Sequence, residues 1–345
     1  MNRQIYRDFD EFADSIRGLA GRFIPTARSA ADWWIEAVNV DRIEMQQLQI
    51  GGASTFAGDG KLGTLTFGIP MTDPHSIRID GQGLDDGSFI LLKHDQPFTY
   101  SGRLITRWAG VTVPIDHFED MEIDSTAAVT ATPGETRTRT EGWMLERMRR
   151  LVARVCAGED TIVFVDPAAS AAAEEEVLNS AALVLQSSTA AVDKHVGRPQ
   201  VSRSRIIARC LELMDASAGQ PMLIGDLCRA SQVSERTLRN VFQEYFGVGP
   251  MRLLKVRQLR EIRAALAAAE GSEQTVAKIA ARFGVWDFSL FARNYRALYG
   301  ERPSTTLRSA PQRHARSHTM PKTWIRYASQ RFMDSDEVAR SRTNS

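Results

Sequence analysis

Arg236, Arg239, Asn240 and Gln243 lie within one stretch whose other positions, Leu238, Phe242, Tyr245 and Phe246, are apolar. On a helix these spacings separate into two faces. Arginine pairs bidentately with the major-groove edge of guanine, and asparagine or glutamine with that of adenine. The polar face therefore holds the groups needed to read base edges. Fifty residues on, Phe288, Ser289, Ala292, Arg293 and Arg296 lie opposite an apolar set of Phe291, Tyr295 and Leu298. Phe288 and Ala292 could touch thymine methyls, and Arg293 a guanine. This is the chemistry of recognition rather than of bond-making. A charged face is also what any solvated helix shows, so the weight rests on the repetition.

The surrounding residues predict how both faces are held. Leu223, Leu227 and Ala230 recur at helical spacing before a turn through Ser231, Gln232 and Val233, and Ser234 is placed to N-cap the next helix. In the second copy Val276, Ile279 and Ala280 mark the short helix, Gly284 suits a tight turn, and Asp287 caps the longer helix after it. Both copies end on an aromatic, a glycine and then a proline: Phe246-Gly247 with Pro250, Tyr299-Gly300 with Pro303. That is a helix stop written twice. Between them, residues 250 to 270 carry Leu253, Val256, Leu259, Ile262 and Leu266 on one side and Arg252, Lys255, Arg257, Arg260 and Arg263 on the others. A helix of ~20 residues spans ~30 Å, near the ~34 Å between successive major-groove faces. Arg260 is expected to meet phosphate.

Residues 199 to 308, and IAARFGVWDFSLFARNYRALYGERPS above all, resemble the AraC/XylS family of bacterial transcription regulators. Within it, VSERTLRNVFQEYFGVGPMRLLK and FGVWDFSLFA are most similar to the branch containing the ethanolamine-operon regulator. Gln232 replaces the usual glycine of the first turn, and Val285 the usual aromatic after Gly284. The resemblance implies an all-α DNA-binding domain at 196–308 with two helix-turn-helix units joined by a long helix. It further implies a cupin-like effector domain, a helical dimer contact, double-stranded DNA and RNA polymerase as partners, and a homodimer that activates transcription.

Length and charge agree with two domains. The 345 residues carry a net charge of +1, but residues 196–345 hold 25 Lys+Arg against 13 Asp+Glu, and residues 1–195 hold 18 against 29. One half is suited to a polyanion and the other is not. Within 1–195, IEMQQLQI, LGTLTFGI, HSIRID, SFILLKH, FTYSGRLIT and WAGVTVPI alternate in part and are broken by Gly, Asp and Pro. They predict an antiparallel β domain, so the fold class is α+β. Residues 1–38 read instead as one or two entry helices. Phe67, Phe89, Phe98, Tyr100 and Trp108 are candidate effector-lining residues, with Arg78, Arg103 or His94 for a polar or anionic group; strand aromatics are more often core filling.

After a Thr-, Ala- and Pro-Gly-containing loop (125–140), two helices are expected. Met144, Met148, Leu151 and Val155 stripe the first, and Glu174 to Glu176 are expected in the first turn of the second. These serve either as the dimer contact that the resemblance implies or as packing against the β domain. His75, His94 and His117 lack metal-site spacing, and Cys156, Cys210 and Cys228 are far apart. Neither a metal nor a cofactor is expected, nor an enzyme. No apolar run reaches the ~18 residues of a membrane span, so a cytoplasmic protein is expected. Residues 309–345 read as a flexible basic tail. The alternative is a regulator independent of ligand, whose β domain only dimerises or binds a protein.

Overall fold

The computed structural model describes residues 3–93, 96–120, 136–157, 167–190, 203–269 and 274–309. The 309–345 tail, apart from Ser309, and the junction of the two expected domains at 195–196 lie outside them, as does His94.

The first part of the chain is two antiparallel sheets. The strands are β1 (Gln4–Tyr6), β2 (Leu19–Pro25), β3 (Trp33–Val40), β4 (Ile43–Ile50), β5 (Ser54–Gly60), β6 (Thr64–Pro70), β7 (Ile77–Ile79), β8 (Gln82–Gly83), β9 (Ser88–Lys93), β10 (Phe98–Gly102), β11 (Thr106–Pro114), β12 (Arg137–Arg139) and β13 (Thr189–Ala190). The larger sheet runs β1-β3-β4-β11-β6-β9-β12-β13 and the smaller β2-β5-β10-β7-β8. Between the two faces lie Phe12, Phe23, Trp33, Phe56, Phe98, Tyr100 and Trp108, packed edge to face or tilted. Such contacts suit the aromatic quadrupole, and each ring buries a large apolar surface.

The expectation of entry helices over 1–38 is corrected. Only α1 (Phe9–Ser15) is helical there, N-capped by the Asp8 carboxylate, and 19–25 and 33–40 are strands. Trp33, Trp34 and Ile35 are all buried, so this strand faces protein on both sides and its sequence shows no alternation.

A short helix, α2 (Asp116–Asp120), follows β11. Helices α3 (Gly142–Ala157) and α4 (Pro167–Gln186) then cover the outer face of the larger sheet. Leu145, Met148, Val152, Val177, Ala181 and Leu185 are buried there with Met45, Phe67, Phe89 and Val111. The apolar stripe is thus used on the chain's own sheet; Trp143 and Leu183 remain exposed. Glu174 to Glu176 sit in the middle of α4 rather than in its first turn, and Glu174 accepts from His117 at 3.0 Å.

The second part is helical: α5 (Arg203–Ala216), α6 (Ile224–Ser231), α7 (Glu235–Phe246), α8 (Pro250–Ala267), α9 (Val276–Arg282), α10 (Phe288–Tyr299) and α11 (Pro303–Arg308). One core joins them, with Leu227, Leu238, Phe242, Leu253, Leu259, Ile262, Ile279, Phe291 and Tyr295 buried. Ile24 and Ala57 of the smaller sheet belong to the same cluster. The two parts are therefore packed together, with β2 resting on α8.

Candidate nucleic-acid interface

Each pair, α6 with α7 and α9 with α10, is a short helix, a turn and a longer helix, and each longer helix is capped by its own sequence. The Ser234 hydroxyl accepts from the Thr237 amide at 3.2 Å, and the Asp287 carboxylate from the Leu290 amide at 2.8 Å. Both helices stop at a left-handed glycine, Gly247 (φ 66°) and Gly300 (φ 74°), where a side chain would be strained. Pro250 and Pro303 then open α8 and α11. In the first turn Gln232 takes the left-handed conformation itself (φ 57°), which is unusual for a residue with Cβ.

These caps hold both polar faces outward. Arg236, Arg239, Asn240 and Gln243 are all exposed on α7, and Phe288, Ser289, Ala292, Arg293 and Arg296 on α10. Arg239 pairs with Glu235 one turn earlier, and Gln243 donates to the Gly247 carbonyl at 2.9 Å. Both interactions are solvent-exposed and worth a few tenths of a kcal/mol, so a base edge can displace them. Trp286, at 86% exposure, and the half-exposed Leu290 extend the α10 face. Sequence reasoning missed both; an indole immediately before a helix cap was the available signal.

The connector helix behaves differently. Its 18 residues span about 27 Å, and its apolar side is buried as expected. Most of its arginines, however, are held by the protein. Arg252 donates twice to the Thr26 carbonyl, at 2.6 and 3.1 Å. Arg257 donates to the Met214 and Ser217 carbonyls at 2.9 and 2.7 Å and pairs with Glu261. Arg263 pairs with Glu301 at 2.9 Å beneath the Tyr299 ring. The expectation that Arg260 meets phosphate is corrected: it grips the Asp10 carboxylate through two nitrogens. Beside it Arg22 is buried, and burial, then the positive charge of Arg260, lowers its pKa to about 10. The basic surplus of this half is thus smaller at its surface than in its composition.

In the β domain an apolar cavity of about 60 Å³ lies between the sheets. Phe98, Tyr100 and Trp108 line it, with Phe23, Leu48 and Ile90. Phe67 and Phe89 do not: their rings stack 6.2 Å apart beneath α3 and α4. Arg78 is exposed and donates to the Gly81 carbonyl. Arg103, also exposed, approaches Gly247 instead. The polar groups of the cavity wall are mostly committed. Gln46 is bound at both ends by the Arg17 backbone, Thr66 donates to the Gly18 carbonyl, and the Tyr100 hydroxyl meets Thr106 at 2.9 Å. Burial pushes the Tyr100 phenol up to about 12. The Trp108 indole nitrogen is buried without a hydrogen-bond partner among the described residues.

Among the described residues no group of three or more His, Cys, Asp and Glu could hold a metal ion, and no helix is long and apolar enough to cross a membrane.

A family model described as a helix-turn-helix domain, HTH_18, matches residues 227–309. A probable thc operon regulatory protein of Rhodococcus erythropolis is 32% identical over 115 residues, covering 33% of this chain and 35% of that protein. An XylDLEGF operon transcriptional activator of Pseudomonas putida is 30% identical over 100 residues, 29% of this chain and 31% of that protein. The chain thus matches about a third of the length of these relatives. A crystal structure of a probable AraC family transcriptional regulator from Rhodopseudomonas palustris CGA009 is 30% identical, covers 30% of this chain and 96% of that chain, and has a TM-score of 0.28. These relatives are transcription regulators, and residues 227–309 carry a helix-turn-helix domain of the AraC/XylS type.

Proposed function

We propose that the chain is a sequence-specific transcription regulator in which α6–α7 and α9–α10 are two helix-turn-helix units that read neighbouring major-groove segments. One observation carries this reading. Two independently capped helices expose Arg236, Arg239, Asn240 and Gln243 on one and Phe288, Ala292 and Arg293 on the other, while the connector's arginines mostly face the protein. Arginines left outward are suited to a polyanion, and those turned inward to holding the frame. The Pseudomonas putida relative is an operon transcriptional activator, which favours an activator that contacts RNA polymerase at DNA in the cytoplasm. In vitro selection with the full chain at about 150 mM salt tests the reading. It predicts a motif of two conserved blocks about one duplex turn apart; a pool that stays random would refute it.

The β domain, residues 1–195, is the regulatory part in this reading, and residues 196–308 the DNA-binding part. Its effector is a small, mainly apolar molecule with one hydrogen-bond acceptor, because the cavity wall is apolar and the Trp108 indole N–H lacks an acceptor among the described residues. The likeness to the ethanolamine-operon branch lies in residues 233–255 and 283–292, outside this cavity, and carries no effector with it. Thermal-shift measurements with small aromatic acids and ketones test the assignment. Stabilisation of the native chain that disappears in Trp108→Phe supports it, and no stabilisation by any of them opposes it.

A second reading is favoured by the size of the cavity. At about 60 Å³ it is smaller than the ~150 Å³ void known to admit benzene. A β domain that only dimerises or positions the DNA-binding half would have such a packed interior. Under this reading no small molecule changes DNA affinity, since a ligand must bind two states unequally to shift them.

A further inference from the structure

The arginines of this molecule fall into two groups. Arg252, Arg257, Arg260 and Arg263 are each bound by protein oxygens. Arg28, Arg293, Arg296 and Arg302 are not: they line one groove, and none has a carboxylate partner among the described residues. That groove, of about 770 Å³, lies beside α10, and its lining includes Phe288, Ala292 and Ser304 and no acidic residue. Glu301, next to Arg302 in the chain, is engaged by Arg263 and by the Thr306 hydroxyl at 2.9 Å, and the Asp287 carboxylate caps α10. All four are exposed, so salt screens their mutual repulsion, but four like charges around one groove still attract an anionic occupant.

Arg28 comes from the other part of the chain. It sits on the β2–β3 loop, and a methyl group built at Gly300 would lie 3.7 Å from its guanidinium. That loop is tied down beside the helices, because the Thr26 carbonyl two residues earlier receives both hydrogen bonds from Arg252. An arginine on a surface loop is ordinarily a solvated one. This one is delivered to the rim of the α10 face by its neighbours.

We propose that Arg28 is a DNA-backbone contact supplied by the β domain, binding a phosphate beside the site read by α10. The β domain is then part of the DNA-binding surface, and any change that shifts β2 against α8 alters affinity directly. The inference rests on the reading of α10 as a recognition helix.

The test uses the full chain and the duplex recovered by in vitro selection, with dissociation constants measured between 50 and 300 mM salt. Each phosphate contact contributes about 0.9 to the slope of log affinity against log salt. Arg28→Ala is expected to weaken binding about three- to tenfold, to lower that slope by about 0.9, and to leave the selected motif unchanged. Arg28→Lys is expected to keep the slope, since it keeps the charge. An Arg28→Ala protein with wild-type slope overturns the proposal whether or not its affinity falls, and so does an Arg28→Lys protein that loses the slope as Arg28→Ala does. If wild-type protein shows no duplex preference at all, the recognition reading fails instead, and the two failures are distinguishable.

Discussion

Removing the Asp10 carboxylate should loosen the whole molecule rather than the end of one helix. Asp10 lies in the first turn of α1 and Arg260 in the middle of α8, 250 residues away. Their side chains are 35% and 17% exposed, so the pair lies between a surface pair worth ~0–1 kcal/mol and a buried one whose breakage costs ~3–5 kcal/mol. A two-point guanidinium–carboxylate contact at this depth should couple by about 1–2 kcal/mol. The singles should be unequal. Asp10→Ala leaves Arg260 and the buried Arg22 facing each other without that carboxylate, so it should cost about 2–3 kcal/mol. Arg260→Ala also removes a charge that opposes Arg22, and should cost about 1–2 kcal/mol. The double mutant should cost less than the sum. The assay is urea unfolding at pH 7, followed by far-UV circular dichroism for the helical half and by tryptophan fluorescence for the β half, where Trp33 and Trp108 are buried. In the wild type the two curves should coincide; in Asp10→Ala they should separate, the helical half melting first. Additive single-mutant costs, with coinciding curves throughout, would refute the argument that this pair joins the halves.

Arg239→Ala should relax base preference in one block of the selected motif, at ~1–3 kcal/mol for one lost base contact; an unchanged motif by in vitro selection would remove Arg239 from the reading surface. Gln232→Gly should raise the melting temperature by a few degrees. It relieves a left-handed backbone worth ~1–2 kcal/mol, less the ~0.5–1 kcal/mol that glycine costs in chain entropy; calorimetry showing a decrease would refute this. Burial pushes the Cys156 and Cys210 thiols up from about 9 to about 12. Between those values the unfolded chain releases protons that the folded chain keeps, so stability should fall as pH rises through that window. Mass spectrometry after iodoacetamide treatment at pH 8 should show Cys228, the half-buried thiol, alkylated well before the other two.

What the sequence made legible was local. Ser234 and Asp287 cap the helices they precede, and Gly247 and Gly300 end them, because capping and left-handed turns depend on residues three or four apart. The connector's buried side could be read from its spacing for the same reason. Errors began where partners were remote. Nothing near Arg260 announces Asp10, so a basic stripe was assigned to phosphate that in fact holds the β domain. Strand β3 was missed because burial on both faces erases the period-two pattern. Phe67 and Phe89 alternate as lining residues would, yet the larger sheet has two covered faces, and they fill the one under α3 and α4. Arg28 could not be placed from sequence at all, since its role depends on how β2 rests on α8.

The most direct measurement is a phasing experiment on the duplex recovered by selection. Five base pairs inserted between its two conserved blocks turn the second by about half a helical turn away from the first. Two reading helices on a rigid connector require affinity to fall at least tenfold. Partial recovery is expected when the insertion is extended to return the blocks to one face, only if the joint between α8 and its neighbours can stretch. Affinity unchanged by the five-base-pair insertion would contradict two reading helices held about one turn apart by α8.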